Sequence, residues 1–193
     1  MKTMKRIFVL YLFLSCCIMA KSQNIRFDGG MMVHAGPMTA DYASLDFHNQ
    51  GATFGMGGTL RFHFGSHVRV GGEGFVSTMK HMGNGSYSRT GWGGAVVDAY
   101  WTFGRWMPFA GVAAGGGKCS TLLVFEGSDG DWEAEPDAVL HNESFFFVSP
   151  NIGVEVALTH AVHLTLLADR LVPTKKIEMP LGWRFYLGFV FAH

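Results

Sequence analysis

Hydrophobic side chains recur at every second position along most of the chain. The last stretch is the clearest: Leu181, Trp183, Phe185, Leu187, Phe189 and Phe191 share one face of an extended strand, and Gly182, Arg184, Tyr186, Gly188, Val190 and Ala192 share the other. Six large apolar side chains on an exposed strand face would template aggregation in water, so this face belongs against a core or against lipid. The opposite face, small and polar with one arginine, points to a tight lumen behind a lipid-facing wall.

The same alternation predicts seven earlier strands. In the first, Phe27, Met31 and Val33 oppose Arg26, Asp28, Met32 and His34, and Pro37 is expected to end it. A long loop from Met38 to Gln50 follows. The second strand, Ala52 to Phe64, sets Phe54, Met56, Leu60, Phe62 and Phe64 against Thr53, Gly55, Gly57, Thr59, Arg61 and His63. After a turn at Gly65 to His67, the third sets Val68, Val70 and Val76 against Arg69, Glu73, Phe75 and Ser77. His81 to Arg89 has turn composition and reads as a second loop. The fourth strand, Gly91 to Phe103, has Asp98 and Tyr100 on its inner face, and Arg105 with Trp106 makes a tight connection. The fifth, Pro108 to Phe125, is so rich in Gly and Ala that its faces stay unassigned. Glu126 to Ser144 forms the longest loop. The sixth strand, Phe146 to Leu158, turns Glu155 inward and carries Pro150 on its apolar face, where a bulge or a missing ladder bond is expected. A turn at Thr159 to Ala161 leads to the seventh, with Val162, Leu164 and Leu166 outward and His163, Thr165 and Asp169 inward. Pro173 to Pro180 is the last loop.

The connections therefore run long, short, long, short, long, short, long. That order suits an all-β, eight-stranded, antiparallel up-and-down transmembrane barrel with both ends in the periplasm and its long loops outside. Most of the strands reach or exceed the roughly 9 to 11 residues needed to cross a bilayer when tilted.

Composition sharpens this picture. Aromatics make up 14% of the chain and charged residues only 16%, with 26 glycines, which is unlike a solvated globular surface. Lys2, Lys5 and Arg6 precede the apolar run Ile7 to Met19, so residues 1–22 read as a secretory signal peptide and residues 23–193 as the barrel domain. Cys16 and Cys17 raise lipidation as an alternative, but Cys16 occupies the position where a small residue should precede a lipidated Cys17. Without the leader, eleven basic side chains face fifteen acidic ones, a net charge of −4 that argues against a nucleic-acid partner. Cys119 is then the one cysteine left, so no intramolecular disulfide forms.

The predicted lumen receives Arg26, Asp28, Arg61, Arg69, Glu73, Asp98, Glu155, Asp169 and Arg184. Eight strands enclose only enough space for side chains to fill, so these charges are expected to pair and plug the barrel. The glycine clusters at Gly55, Gly71 and after Gly111 open no helix, which excludes a phosphate cradle. The acidic run Glu126, Asp129, Asp131, Glu133, Glu135 and Asp137 lacks the ligand order of a calcium loop and reads as a solvated surface. No catalytic residue, metal or cofactor is expected.

The end of the chain, with Tyr186, Gly188, Phe191 and a terminal His193, resembles the carboxy-terminal assembly signal of outer-membrane β-barrel proteins, with His where Phe is usual. The whole of residues 23–193 resembles the small eight-stranded members of that group, the OmpA-transmembrane-domain and OmpX-like class. The resemblance implies a monomer in the outer membrane with a structural, adhesion or surface-interaction role and no enzymatic activity. Its implied partners are membrane lipid and lipopolysaccharide, the barrel assembly machinery, and an extracellular molecule met by the long loops. Two alternatives stand beside it. A soluble lipocalin-like binder of a small apolar ligand would need its apolar faces inside. A lipid A-modifying barrel enzyme would need a His, a Ser and an acid or amide, which His141, Asn142, Glu143 and Ser144 supply only as consecutive neighbours pointing different ways.

Overall fold

In the computed structural model, residues 26–42, 47–81, 85–125 and 137–192 are described. They form β1 (Phe27–Tyr42), β2 (Phe47–Phe64), β3 (Val68–Lys80), β4 (Tyr87–Tyr100), β5 (Trp106–Phe125), β6 (Asp137–Ala157), β7 (Val162–Arg170), β8 (Val172–Pro173) and β9 (Leu181–Ala192). From β1 to β7 each strand pairs antiparallel with the next in sequence, the two-residue β8 continues the partnership of β7 with β6, and β9 pairs with β7. β9 then pairs with β1, from Asp28 opposite Ala192 to Thr39 opposite Leu181. This last pairing closes a ring of eight strands and leaves no edge.

The period-2 pattern decides which way the wall faces. Met31, Phe54, Phe146 and Ile152 are each at least 64% exposed, with Phe62, Val97, Leu187 and Phe189 on the same outer surface. The inner positions, among them Met32, Phe75, Trp92, Val96, Phe147 and Tyr186, pack into one core. A calyx in water would show the reverse arrangement. Exposed Phe27, Phe64, Trp101, Phe103, Trp106 and Phe191 lie around the short-turn end of the apolar band, and Phe146, Trp183 and Phe185 lie toward the other, as aromatic side chains do at the interfaces of a barrel spanning a bilayer.

Pro37 does not end β1. The strand continues to Tyr42 because its ladder with β2 runs unbroken through Pro37 opposite Ala52, and only the ladder with β9 skips Gly36 and Pro37. A side chain on Gly36 would collide with the Trp183 carbonyl, so glycine is what lets β1 and β9 approach there. Pro150 acts similarly: the register of β6 is the same on both sides of it, and the ladder lapses at Ser149 and Pro150, which splits β8 from β7. The outcome is a missing ladder bond with no bulge.

Three of the long loops shrink accordingly. Residues 38–42 and 47–50 are strand, leaving 43–46 as the connection. The second loop is 81–86, and β6 begins at Asp137, so Asn142 to Ser144 belong to the wall. β5 also acquires faces: Phe109, Ala113, Cys119, Thr121 and Leu123 point inward. Its glycines are explained across the ladder, because inward Gly117 lies opposite Phe145 and the Phe145 ring covers the space a Cβ would need. Gly57 with Phe75 and Gly153 with Phe109 repeat the arrangement.

The strands are uneven in height. β1, β2, β5 and β6 have 16, 18, 20 and 21 residues, so these two hairpins rise beyond the band that about 9 to 11 tilted residues cross. The short turns at the other end use Gly65 and Gly104 in the left-handed region, with φ of 68° and 62°.

The outer-face assignment predicts how substitutions behave. Leu166→Arg, midway along β7 on the outer face, should cost about 2 to 4 kcal/mol of stability and Phe189→Asp somewhat less, whereas Gln50→Arg, above the band, should be tolerated. Urea titration of the three variants folded into lipid vesicles measures the order; equal midpoints would reverse the assignment.

Candidate functional site

Inward positions near the short-turn end carry a buried cluster drawn from five strands. Arg61 of β2 donates to Asp28 Oδ1 at 2.8 Å and to Glu155 Oε1 at 2.6 Å, with Asp98 Oδ2 at 3.4 Å. Arg69 of β3 donates to Asp98 Oδ1 at 2.6 Å and straddles Glu155 at 2.9 and 3.0 Å. Arg69 is 0% exposed and Glu155 1%. Such groups keep their charge only because each has opposite charge and hydrogen bonds on several sides. The guanidinium of Arg69 also lies 5.0 Å from the ring centres of both Tyr100 and Phe109. Two arginines meet three carboxylates here. His63 adds a further bond to Asp28, 2.7 Å from Oδ2, and His163 lies 3.7 Å from Glu155.

Higher in the lumen, Arg184 of β9 grips Asp169 of β7 with two bonds of 2.8 and 2.6 Å. Ser149 donates to the same carboxylate at 2.8 Å, and the guanidinium stacks 4.2 Å from the Trp92 ring centre. His34 lies nearby among Phe75, Trp92 and Tyr186, with ring centres 4.9 to 5.9 Å away.

Seven of the nine residues expected in the lumen network are thus in ion pairs: Asp28, Arg61, Arg69, Asp98, Glu155, Asp169 and Arg184. Arg26 is not, because it precedes β1 and is exposed at the short-turn rim. Glu73 points inward beside Arg61, Asp98 and Asp169, but its position on β3 sets it between the two clusters, and neither includes it in an ion pair. Arg69 therefore pairs with Asp98 and Glu155, across one neighbouring strand and across the barrel. Beside Arg184 and beside Glu73 the lumen leaves voids of about 10 and 20 Å³, each room for about one water, and below the Arg61–Arg69 cluster it widens into an open vestibule of about 670 Å³ lined by His63, Tyr100 and His163.

At the loop end the wall brings together a second set of residues that the sequence reading missed. His81, buried, lies 3.0 Å from Asn49 Nδ2 through Nδ1 and bonds Ser88 Oγ through Nε2. Ser88 also meets Tyr42 OH and Thr121 Oγ1, each at 2.8 Å, and Tyr42 meets Thr121 at 2.7 Å. An amide, an imidazole and a hydroxyl in line have the composition of a nucleophile relay. Ser88 is, however, buried and already bonded to three side chains, so the arrangement cross-braces four strands. Period-2 reading failed here because His81 and Ser88 fall in HMGNGSYSR, whose composition is that of a turn.

The consecutive His141, Asn142, Glu143 and Ser144 alternate along β6. His141 and Glu143 share the inner face at 3.3 Å, and Asn142 on the outer face accepts from Ser120 Oγ at 2.7 Å. Glu126, Asp129, Asp131, Glu133 and Glu135 lie outside the described residues, and Asp137 opens β6. Of the carboxy-terminal signal residues, Tyr186 points inward and is buried, Phe191 faces outward, and Gly188 is the inward position over which Met32 packs. His193 lies outside the described residues.

The closed eight-strand ring, its apolar girdled exterior and its charged, filled interior define a small β-barrel of the outer-membrane class. No family model and no curated protein sequence matches the chain. Among solved structures it is similar to Neisserial surface protein A, at 12% identity and a TM-score of 0.58 over 86% of this chain and 95% of that one. It is also similar to Ail, the attachment invasion locus protein of Yersinia pestis, in complex with the heparin analogue sucrose octasulfate, at 8% identity and a TM-score of 0.51 over 86% and 99% of the two chains. The outer membrane protein OprG of Pseudomonas aeruginosa follows, at 9% identity and a TM-score of 0.50 over 88% and 95%. At these identities the likeness is one of fold.

Two measurements test the interior. Arg184→Met alone strands Asp169 and should cost about 3 to 5 kcal/mol, whereas Arg184→Met with Asp169→Leu should recover most of it; urea unfolding of single and double variants reads the difference, and additive losses would deny the pairing. Burial holds the His81 imidazole below its ordinary value of 6.5. The unfolded chain then binds the extra proton first, so the stability from neutral His81 is complete above pH 6.5 and declines as pH falls below it. The gel-shift melting temperature should drop on acidification in the wild type and drop less in His81→Gln.

Proposed function

We propose that the protein resides in the outer membrane as a monomeric, plugged barrel that acts through its surfaces, in a structural, adhesion or surface-interaction role. The observation that carries this reading is the lumen, where Arg61, Arg69 and three carboxylates occupy the cross-section between β1 and β6, with a void of a single water on the loop side and an open vestibule only on the short-turn side. A conducting pore of the porin kind takes about 16 to 18 strands. What remains free to meet other molecules is the lipid-facing belt and the two tall hairpins. The likeness to Ail, an attachment protein by name, supports a surface role. On this reading residues 1–22 are removed as a signal peptide, the Tyr186, Gly188, Phe191 and His193 tail is read by the assembly machinery, the loop end faces the exterior, and the chain performs no catalysis.

Two experiments test these statements. In planar bilayers the purified protein should give no stable channel, and a long-lived, ion-selective conductance from the monomer would transfer the function to transport. In a Cys119→Ser background, a membrane-impermeant maleimide on intact cells should label Gln50→Cys and leave Ser66→Cys unlabelled until the cells are lysed; the opposite pattern would invert the topology.

A further inference from the structure

The outer face of the barrel changes from apolar to polar along a line, and on three adjacent strands that line is basic. Lys80 of β3, Arg89 of β4 and Lys118 of β5 all point outward and are exposed. Arg89 lies opposite Thr78 on one side and Ser120 on the other. Lys80 and Lys118 are therefore each its diagonal neighbour, about 7 to 8 Å away by the spacing of sheet pairs. Lys80 is one step toward the loops and Lys118 one step away from them, so the row follows the edge of the apolar band. No outward position of β3, β4 or β5 among the described residues is acidic, and no ion pair to these three cations occurs among the described residues. Three like charges at this spacing repel one another unless an anion lies among them.

A second feature meets the first. Below Arg89 the lipid-facing surface is hollowed into an open groove of about 740 Å³. Its walls are Phe54 and Met56 of β2, Val76 of β3, and Phe185 and Leu187 of β9, and small Ala35 of β1 lies opposite both Phe54 and Phe185. Arg89 and Thr78 stand at its polar end. An apolar trough ending in a cation, at the level where a leaflet's headgroups begin, has the shape of a lipid site: an acyl chain below, a phosphate above.

We propose that this face holds one phosphorylated glycolipid of the lipid A type, with its phosphates on Lys80, Arg89 and Lys118 and an acyl chain in the groove. The outer two cations lie on the order of 15 Å apart, two diagonal steps. One phosphodiester reaches only neighbouring cations in such a row, whereas a disaccharide phosphorylated at both ends spans it. Arg89, central in the row, presents the fork that matches phosphate oxygens. The assignment rests on the reading that the loop end faces the exterior, where such a glycolipid forms the outer leaflet.

Native mass spectrometry of the detergent-solubilised full barrel, titrated with bisphosphoryl lipid A, tests it. Each cation near an anionic headgroup contributes about fivefold, so Lys80→Ala, Arg89→Ala and Lys118→Ala together should weaken binding roughly a hundredfold. Arg89→Gln alone should weaken it several-fold, and Lys175→Ala with Lys176→Ala should leave it unchanged. Wild-type binding of dephosphorylated lipid A should fall to the level of the triple variant. Ala35→Phe, which fills the groove floor, should weaken the acylated ligand while leaving a fully deacylated, phosphorylated headgroup unaffected. A heat-modifiable gel shift in every variant separates loss of the site from loss of the fold. Wild-type affinity in the folded triple variant would overturn the proposal, as would equal wild-type affinity for phosphatidylglycerol. Because the titration is done in detergent, its outcome is independent of the maleimide test of orientation.

Discussion

A chain surrounded by hydrocarbon has no water to satisfy its amides and carbonyls, and every feature of this wall follows from that constraint. The pairing of β9 with β1 is the contact that meets it, because it turns a sheet with two bare edges into a ring with none. Closure then commits each strand to one face in lipid and one in the lumen. The two prolines show the tolerance of the arrangement: Pro37 and Pro150 each forfeit a rung on one side and keep the ladder on the other. Neither shifts the register, so neither turns a single side chain to the wrong face.

Closure also creates the interior that must be filled. A ring of eight strands encloses a space of side-chain width, and the sequence fills it with two kinds of layer. Aromatic rings lie over inward glycines of the adjacent strand, as Phe145 does over Gly117. Ionic layers tie strands that are far apart in the chain, Arg61 to Glu155 across 94 residues and Arg69 to the same carboxylate across 86. Buried ion pairs add little net stability over apolar packing of equal volume. What they impose is register, since a slip of one residue on β2 or β3 would send Arg61 or Arg69 into lipid.

With the lumen occupied by side chains, the surfaces open to other molecules lie largely outside the wall, where the same alternation ends at different heights on different strands. The tall β1–β2 and β5–β6 hairpins carry polar outer residues such as Asn142 and Ser144 above the band, while the shorter β3 and β4 bring Lys80 and Arg89 to its edge. Tyr42 of β1 meets Ser88 of β4 and Thr121 of β5, which ties the two protruding hairpins together from inside.

The sequence by itself determined the eight strands, the inner and outer faces of all but the fifth, and the class of fold. It could do so because lipid outside and a tight lumen inside act on every second residue, and that signal is local. Strand ends were less legible: above the bilayer the outer face meets water, the alternation of polarity fades, and Met38 to Tyr42, Phe47 to Gln50 and His141 to Ser144 look like loop although ladder bonds continue through them. Only the tertiary structure decided the partners. That Arg69 meets Asp98 and Glu155 while Glu73, inward on the same strand, stays out of the ion pairs depends on shear around the ring, which sets the heights of inward residues on different strands. The same shear aligns Lys80, Arg89 and Lys118 into one row from three unrelated positions in the sequence, and brings His81 and Ser88 out of an apparent turn into the bracing of the barrel mouth.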